Sequence, residues 1–368
     1  MAKDSHVAVV VPYCFVPPRN GGHKAAFGLC RFLAGHTSVT AVTTPGNEDT
    51  EALPFRLQSL LGNSVTRYLH PRGAVRIARY FKQAGVTQCI AFQPFIALLL
   101  FIPCRLRGVP LSIYIQNLEY QRFRSMGKAW WPIVFVVEWL AFRLSDHLYF
   151  ISPDEVVPGQ RAFGLQPEQC SVLPYGTPYA RQPERQTARR RIRKQHGYSE
   201  DECLIIFFGP QTYQPNLEAV VRIVEQIEPA FRQIADFPYR FLICGGGLPG
   251  KYNRLQDYDR VDYLGYVEDI EAYVQACDLM ANPVNSGGGV KTKLVEAIAL
   301  GTTVVSSYTG ALGVVPEACG PKLIRVADEA YPAFAAALQQ AYQKGQLPTP
   351  SSFYETYYWG NIVRGVNH

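Results

Sequence analysis

Short, near-continuous apolar runs alternate along this chain with longer amphipathic stretches, the order expected of strands and helices in turn. VAVVVP near the start, a loop holding Asn20, Gly21 and Gly22, the amphipathic HKAAFGLCRFLAG and then VTAVTT make a strand, helix, strand unit. RIARYFKQAG before TQCIAF and RLRG before LSIYIQ continue it, and the segment with Glu138 precedes HLYFIS. After the turn-rich PYGTPYARQPE and the basic TARRRIRKQHG the pattern restarts with LIIFFG. FLICGGG, VDYLGYV, DLMANPV, TTVVSS and KLIRV supply the later strands. Asn216 is placed to cap the helix LEAVVRIVEQIEPAF, with Glu218 favouring its dipole. Strands apolar on both faces belong to parallel sheets covered by helices, so each half is expected to be a doubly wound, Rossmann-like α/β domain.

A chain of 368 residues is too long for one ordinary core. The expected division is a first domain over 1–185, a second over 186–350 and a tail over 351–368. Ligands of such folds bind outside the carboxyl ends of the strands, which places the expected site in a cleft between two facing domains.

Composition changes this picture only a little. With 48% hydrophobic and 18% charged residues the chain fits a folded globular protein, and the net charge of +6 is concentrated at Arg189, Arg190, Arg191, Arg193 and Lys194. That run reads as a solvated helix face, with lipid or polyanion contact as the lesser reading. So modest an excess suits anionic small molecules or a membrane surface, and no nucleic-acid partner is expected. The nine cysteines form no CxxC pair, which points to buried thiols in a reducing compartment, and the cytoplasm is the expected location. VAVVVP, stopped by Pro12, is too short for a signal peptide.

Phe95 to Pro103 and Trp130 to Phe142 are apolar but fall short of the roughly 18 to 20 residues a membrane span needs. Both are expected to be buried core helices. The tryptophans beside Lys128, with Arg122 and Arg124 upstream, also suit an interfacial face resting on anionic lipid, so peripheral contact with the cytoplasmic membrane face stays open.

The chemistry concentrates between Asn285 and Ser307, NSGGGVKTKLVEAIALGTTVVSS. A triple-glycine turn leads into a short helix whose first N–H groups and dipole favour an anion, and Lys291 and Lys293 supply counter-charge. Lys293 and Glu296 share a helix face, while Leu294, Val295 and Ile298 form the apolar side. A cation and a carboxylate beside a phosphate cradle suit a ligand carrying both phosphates and hydroxyls, such as a nucleotide sugar. The same spacing also occurs on ordinary solvated helices.

Other signals weigh less. GGGLPG from Gly245 matches the dinucleotide pattern, but Pro249 and the lack of a clear acidic residue after the next strand argue against it. Asp257-Tyr258-Asp259 is too short a pattern to assign a metal, and none is assigned. His23 beside the first glycine loop reads as a solvated first-turn histidine, and His147 as structural.

The chain resembles the retaining GT-B glycosyltransferases of family four, the group 1 glycosyltransferases, over nearly its whole length. The resemblance is carried by Gly21-Gly22, QNLEYQR, SDHLYFIS, LPYG, FFGPQTYQPN, FLICGGG, VDYLGYV and GGGVKTKLVEAIALGTTVV. FYETYYWGNIVRGV resembles the tail that crosses back onto the first domain in that fold. The resemblance implies that Glu296 holds the nucleotide ribose, that Lys293 neutralises the diphosphate and that Lys291 assists. It implies that Gly21 and Gly22 close on the diphosphate from the first domain, which would take the acceptor. The resemblance also implies that Gly209 lies where the second domain's first strand opens into the cleft, and that the loop at Tyr266 and Val267 is where the base is read.

Three departures stand out. Gly288 occupies the first position of the family's glutamate pair, and backbone N–H groups from Gly287 through Gly288 and Gly289 to Val290 are expected to replace that carboxylate. FFGPQTYQPN lacks the usual arginine and lysine, which throws the cationic burden onto Lys291 and Lys293. Gln116, beside Asn117 and Glu119, stands where many members carry histidine; it can hydrogen-bond a sugar but cannot act as a base. The implied activity is metal-independent hexosyl transfer, with retention, from a nucleoside diphosphate sugar to a hydroxyl of a glycan or lipid-linked acceptor in cell-envelope polysaccharide synthesis. No cofactor is implied, the nucleotide sugar being a substrate. A nucleotide-sugar epimerase of the same fold and a non-catalytic nucleotide-sugar binding protein are the alternatives.

Overall fold

The computed structural model describes residues 5–48, 52–68, 70–250, 252 and 258–366. Its described residues fall into two compact units. The first runs to Pro178 and takes in Gly288–Val290 and the chain from Tyr357 onward; the second holds Tyr179–Gly287 and Lys291–Thr356.

The first unit is built on seven parallel strands: β1 (His6–Val10), β2 (Ser38–Thr43), β3 (Arg56–Ser59), β4 (Gln88–Phe92), β5 (Leu111–Ile115), β6 (His147–Phe150) and β7 (Cys170–Val172). Their order is β3-β2-β1-β4-β5-β6-β7, so the winding reverses between β1 and β4. The helices are α1 (Gly21–Leu33), α2 (Pro71–Ala84), α3 (Pro94–Arg107), α4 (Glu119–Ser125), α5 (Trp131–Arg143) and α6 (Pro153–Phe163). β1, β4 and β5 are buried along their whole length, as strands sandwiched between helices must be.

The second unit opens with α7 (Gln186–His196) and has six parallel strands: β8 (Cys203–Phe208), β9 (Tyr239–Cys244), β10 (Val261–Gly265), β11 (Leu279–Asn282), β12 (Thr303–Ser307) and β13 (Leu323–Val326). The order β10-β9-β8-β11-β12-β13 puts its reversal between β8 and β11. The helices are α8 (Gln214–Arg222), α9 (Glu228–Ile234), α10 (Ile270–Ala276), α11 (Thr292–Ala299), α12 (Pro316–Cys319), α13 (Tyr331–Gln343) and α14 (Ser351–Tyr357). A π-helical turn over Ile223–Ile227 joins α8 to α9.

The tail returns to the first unit through α15 (Trp359–Ile362). Thr177 N donates to Tyr357 O at 2.6 Å and Trp359 N to Thr177 O at 3.0 Å. Trp359 is fully buried in a slot that two glycines make: a Cβ on Gly28 would come within 2.2 Å of its ring, and one on Gly176 within 2.6 Å.

Two expectations need correction. The helix over Trp130 to Phe142 does not sit in the core: α5 buries Val134, Glu138, Ala141 and Phe142 and exposes Ile133, Val136, Trp139 and Leu140. The carboxylate lies inside because it has work there. Glu138 accepts the N–H groups of Glu119 at 2.7 Å and Tyr120 at 2.9 Å, capping α4, and burial pushes its pKa up to about 8. The basic run of α7 is likewise no simple solvated face. Arg189 and Arg193 meet the buried Asp278 at 2.7 and 3.0 Å, and Arg191 pairs with Asp269 at 2.5 Å.

Candidate functional site

In the second unit the strands on either side of the winding reversal end in glycine turns. Gly209 follows β8 with φ 138°, and Gly287 lies between β11 and α11 with φ 85°, both backbone states open to glycine and costly for other residues. Close approach matters as well as φ. A Cβ on Gly209 would lie 2.7 Å from Asn216 Nδ2 and 3.1 Å from Lys293 Nζ, and one on Gly287 would lie 2.6 Å from Tyr213 Oη.

Lys293 sits in the first turn of α11, with Lys291 as the N-cap residue. Its Nζ donates to Asn216 Oδ1 at 2.7 Å and lies 4.3 Å from the centre of the Phe207 ring. Burial, then the charge of Lys291, hold its pKa down to about 7, against an opposing pull from Glu296. Lys291, itself buried, donates from Nζ to Gly287 O at 2.8 Å and so ties the glycine turn to the helix start. Glu296 is half-buried one turn along the same face. An anion placed here would meet two cations and helix N–H groups, with a carboxylate nearby for hydroxyls.

Asn216 was expected to cap its helix, and it does not. Pro215, with no N–H to satisfy and φ already helical, starts α8 earlier, leaving Tyr213 as the N-cap. Asn216 therefore lies inside the first turn, where Nδ2 donates to Pro210 O at 2.9 Å and Oδ1 receives Lys293. Its role went unread because the lysine it binds is far along the chain. Gln211 was also missed: it is buried and donates to Gly209 O at 2.8 Å.

GGGLPG finds its explanation in the same turn. A Cβ on Gly245, φ 137°, would lie 2.1 Å from Gly209 O, so the glycine lets the ends of β8 and β9 meet. Gly245 N donates to Gly265 O at 2.6 Å, and Tyr266 and Val267 follow in the next loop. Asp257 lies outside the described residues.

In the first unit Gly21 and Gly22 open α1, capped by Asn20, whose Oδ1 accepts from His23 N at 3.0 Å. A Cβ on Gly22 would stand 3.5 Å from Tyr13 Oη and 3.8 Å from Gln116 Nε2, so glycine loop, tyrosine and glutamine form one cluster. His23 is half-buried against Tyr13, ring centres 5.5 Å apart, and burial, aided by Arg19, lowers its pKa. Gly288, Gly289 and Val290 group with this unit, where a Cβ on Gly289 would lie 2.0 Å from Asn117 Oδ1. His147 donates or accepts at Ser171 Oγ over 2.8 Å, a cross-strand contact remote from the glycines.

Residues 202–344 match the family model described as Glycosyl transferases group 1. No curated protein matches the chain significantly in sequence. Among solved structures, HepE of Anabaena in complex with UDP is 14% identical, with 98% of this chain and 94% of that one covered and a TM-score of 0.67. Sucrose-phosphate synthase from Thermosynechococcus elongatus is 19% identical, with 98% and 93% covered and a TM-score of 0.68. WaaG, a glycosyltransferase involved in lipopolysaccharide biosynthesis, is 16% identical, with 97% and 94% covered and a TM-score of 0.66. The protein therefore has the GT-B fold, two Rossmann-like domains with a tail returning to the first, and its second unit is similar over residues 202–344 to the glycosyl transferases group 1.

Proposed function

We propose that this protein is a retaining glycosyltransferase that moves a hexosyl unit from a nucleoside diphosphate sugar to a hydroxyl of a glycan or lipid-linked acceptor, without a metal. The observation that carries the reading is Lys293: a poorly solvated ammonium, held by Asn216 beneath the Gly209 turn, beside Lys291 and one turn from Glu296. HepE is a protein of the same fold seen with UDP, with UDP and glucose, and with UDP-glucose.

The roles follow from charge. Cleavage of the sugar C1–O bond leaves a diphosphate with more charge than the donor carried, so fixed cations there stabilise the transition state more than the ground state. Lys293 and Lys291 take the diphosphate together with the N–H groups of Gly287 to Val290, and Glu296 takes the ribose hydroxyls. Gly209 gives the phosphates room, and the Val267 loop reads the base. In the first unit Gly21 and Gly22 admit the diphosphate, and Gln116 offers hydrogen bonds to the sugar. For retention the acceptor hydroxyl attacks C1 on the face the diphosphate leaves, giving its proton to the departing phosphate oxygen, so no protein nucleophile is needed.

Membrane contact is part of the same reading. Among the described residues no helix is long and apolar enough to span a membrane. Ile133, Val136, Trp139 and Leu140 lie three or four residues apart on one exposed face of α5, with exposed Met126 and Trp130 in the preceding loop. Arg124, Lys128 and Arg143 rim this surface, and both carboxylates of the region, Glu119 and Glu138, are buried. Apolar side chains within a cationic rim fit an anionic bilayer surface, with the protein resting on the cytoplasmic side.

The test is a thermal-shift series with nucleoside diphosphates and their sugars, followed by NMR of the anomeric configuration of any product. Stabilisation by one diphosphate and its sugar, with a product of unchanged configuration, is expected. Isomerisation without acceptor would mean an epimerase, tight binding without turnover a binding protein, and an inverted product would exclude retention.

A further inference from the structure

The first unit holds a second cationic site, away from its glycine loop. Where β3 ends, Leu60, Leu61 and Gly62 turn toward the start of α2, and a cavity of about 210 Å³ opens there. Thr66, Arg67, His70, Arg72 and Arg76 line it, and among the described residues no carboxylate does. Arg72 and Arg76 are four apart on α2 and share a face. The first turn of α2 carries no acidic residue, so the helix dipole adds to the positive field.

Two of the arginines are held in place by backbone acceptors, which do not neutralise them. Arg76 Nη2 donates to Ser59 O at 3.3 Å and Arg67 Nη1 to Asn63 O at 2.9 Å, both backbone acceptors. Arg67 Nε is buried and has no hydrogen-bond partner among the described residues. Among the described residues none of the three forms an ion pair, whereas elsewhere arginines meet carboxylates, as Arg105 does Asp146 and Arg240 does Glu202 and Asp262. Three guanidiniums around one cavity suit an anion with several charged oxygens, and their planar forks match phosphate oxygens. Leu61, nearly fully buried, gives the cavity an apolar wall.

Its position points to the acceptor. The cavity lies at the carboxyl edge of the sheet, the edge that carries Gly21, Gly22 and Gln116. The Arg67 guanidinium rests over the Tyr68 ring at 5.3 Å, the Tyr13 pKa is raised by burial and then by Tyr68, and Tyr13 Oη borders Gly22. A phosphate held here would leave its glycan directed along these tyrosines toward the glycine loop.

We propose that this cavity binds a phosphate ester on the acceptor, so that the acceptor is either a phosphorylated sugar or a glycan carried on a lipid phosphate. The inference rests on the transfer reading, but its binding test does not need turnover. In a Lys291→Ala, Lys293→Ala background, which disables the donor cradle, glucose 6-phosphate, a polyprenyl phosphate in detergent micelles and inorganic phosphate are titrated by calorimetry. One of the two esters is expected to bind more tightly than inorganic phosphate, and which one it is separates the soluble from the lipid-linked source. Adding Arg72→Gln and Arg76→Gln should weaken that ester about tenfold or more. The same two substitutions in the otherwise native chain should leave stabilisation by the nucleoside diphosphate unchanged, which shows the fold intact. Equal affinity for all three phosphates, or ester binding unmoved by the arginine substitutions, overturns the proposal. Loss of nucleoside diphosphate binding in the native chain would instead sink the donor-site reading while the ester titration still stands.

Discussion

Lys293 Nζ donates to Asn216 Oδ1 at 2.7 Å, joining the first turn of α11 to the first turn of α8 over the end of β8. The bond fixes the position of a cation whose neighbours are a glycine turn, an aromatic ring and a second lysine. Lys293→Ala should weaken diphosphate binding and slow transfer by about 100-fold or more. Asn216→Ala, which leaves the charge but frees the side chain, should lose about tenfold, chiefly in kcat. Steady-state kinetics of the two variants check this; equal activity to the parent in Lys293→Ala would displace the diphosphate from this turn.

The same lysine should make donor binding depend on pH. Its pKa in the free protein is held down to about 7, mainly by burial and then by Lys291. A bound diphosphate favours the charged form and raises that value. Above about pH 7 donor binding must therefore take up a proton, and affinity falls as pH rises. Calorimetry at pH 8 in two buffers of different ionisation enthalpy should show proton uptake that disappears in Lys293→Ala.

Asp278 is the keystone of the α7 network. Its carboxylate meets Arg189, the fully buried Arg193 and Leu204 N, the last at 3.0 Å. Asp278→Ala strands the Arg193 charge and should cost about 3–5 kcal/mol. Urea denaturation would read this as a lower midpoint, and a change below about 1 kcal/mol would show that the arginine finds water instead.

Trp359 anchors the returning tail. Trp359→Ala should cost about 3–5 kcal/mol in the first unit, and Gly28→Ala should also destabilise, because the added Cβ would fall 2.2 Å from the indole. Thermal unfolding with limited proteolysis at the C-terminus checks both, the tail becoming cleavable first.

The exposed face of α5 should bind anionic vesicles. Val136→Ser with Trp139→Ser should abolish sedimentation with phosphatidylglycerol vesicles while leaving donor binding intact, and charge reversal at Lys128 should weaken it in a salt-sensitive way. A parent protein that stays in the supernatant with such vesicles, or self-associates through this face, would remove the membrane from the reading.

The strands were readable because burial on both faces leaves an unbroken apolar run, as in LIIFFG for β8. β3 and β7 escaped: RLQS and CSV are short edge strands, half-exposed, with no run to mark them. The glycine turn and the lysines of α11 were legible because their partners, Gly287, Lys291 and Lys293, lie within one local segment.

What the sequence determined by itself was local: which segments form strands and helices, the restart of the pattern at the second unit, and the glycine turn that leads into the lysine-bearing helix between Gly287 and Glu296. What only the tertiary structure decided was pairing across distance. Asn216 reads as a cap until Lys293 arrives from 77 residues away, the α7 arginines read as solvated until Asp278 comes beneath them, and Glu138 is only a lone carboxylate in an apolar run until α4 needs a cap. Periodicity reports how apolar a face is, but a polar side chain settles where a complementary group waits, and that depends on elements remote in the chain.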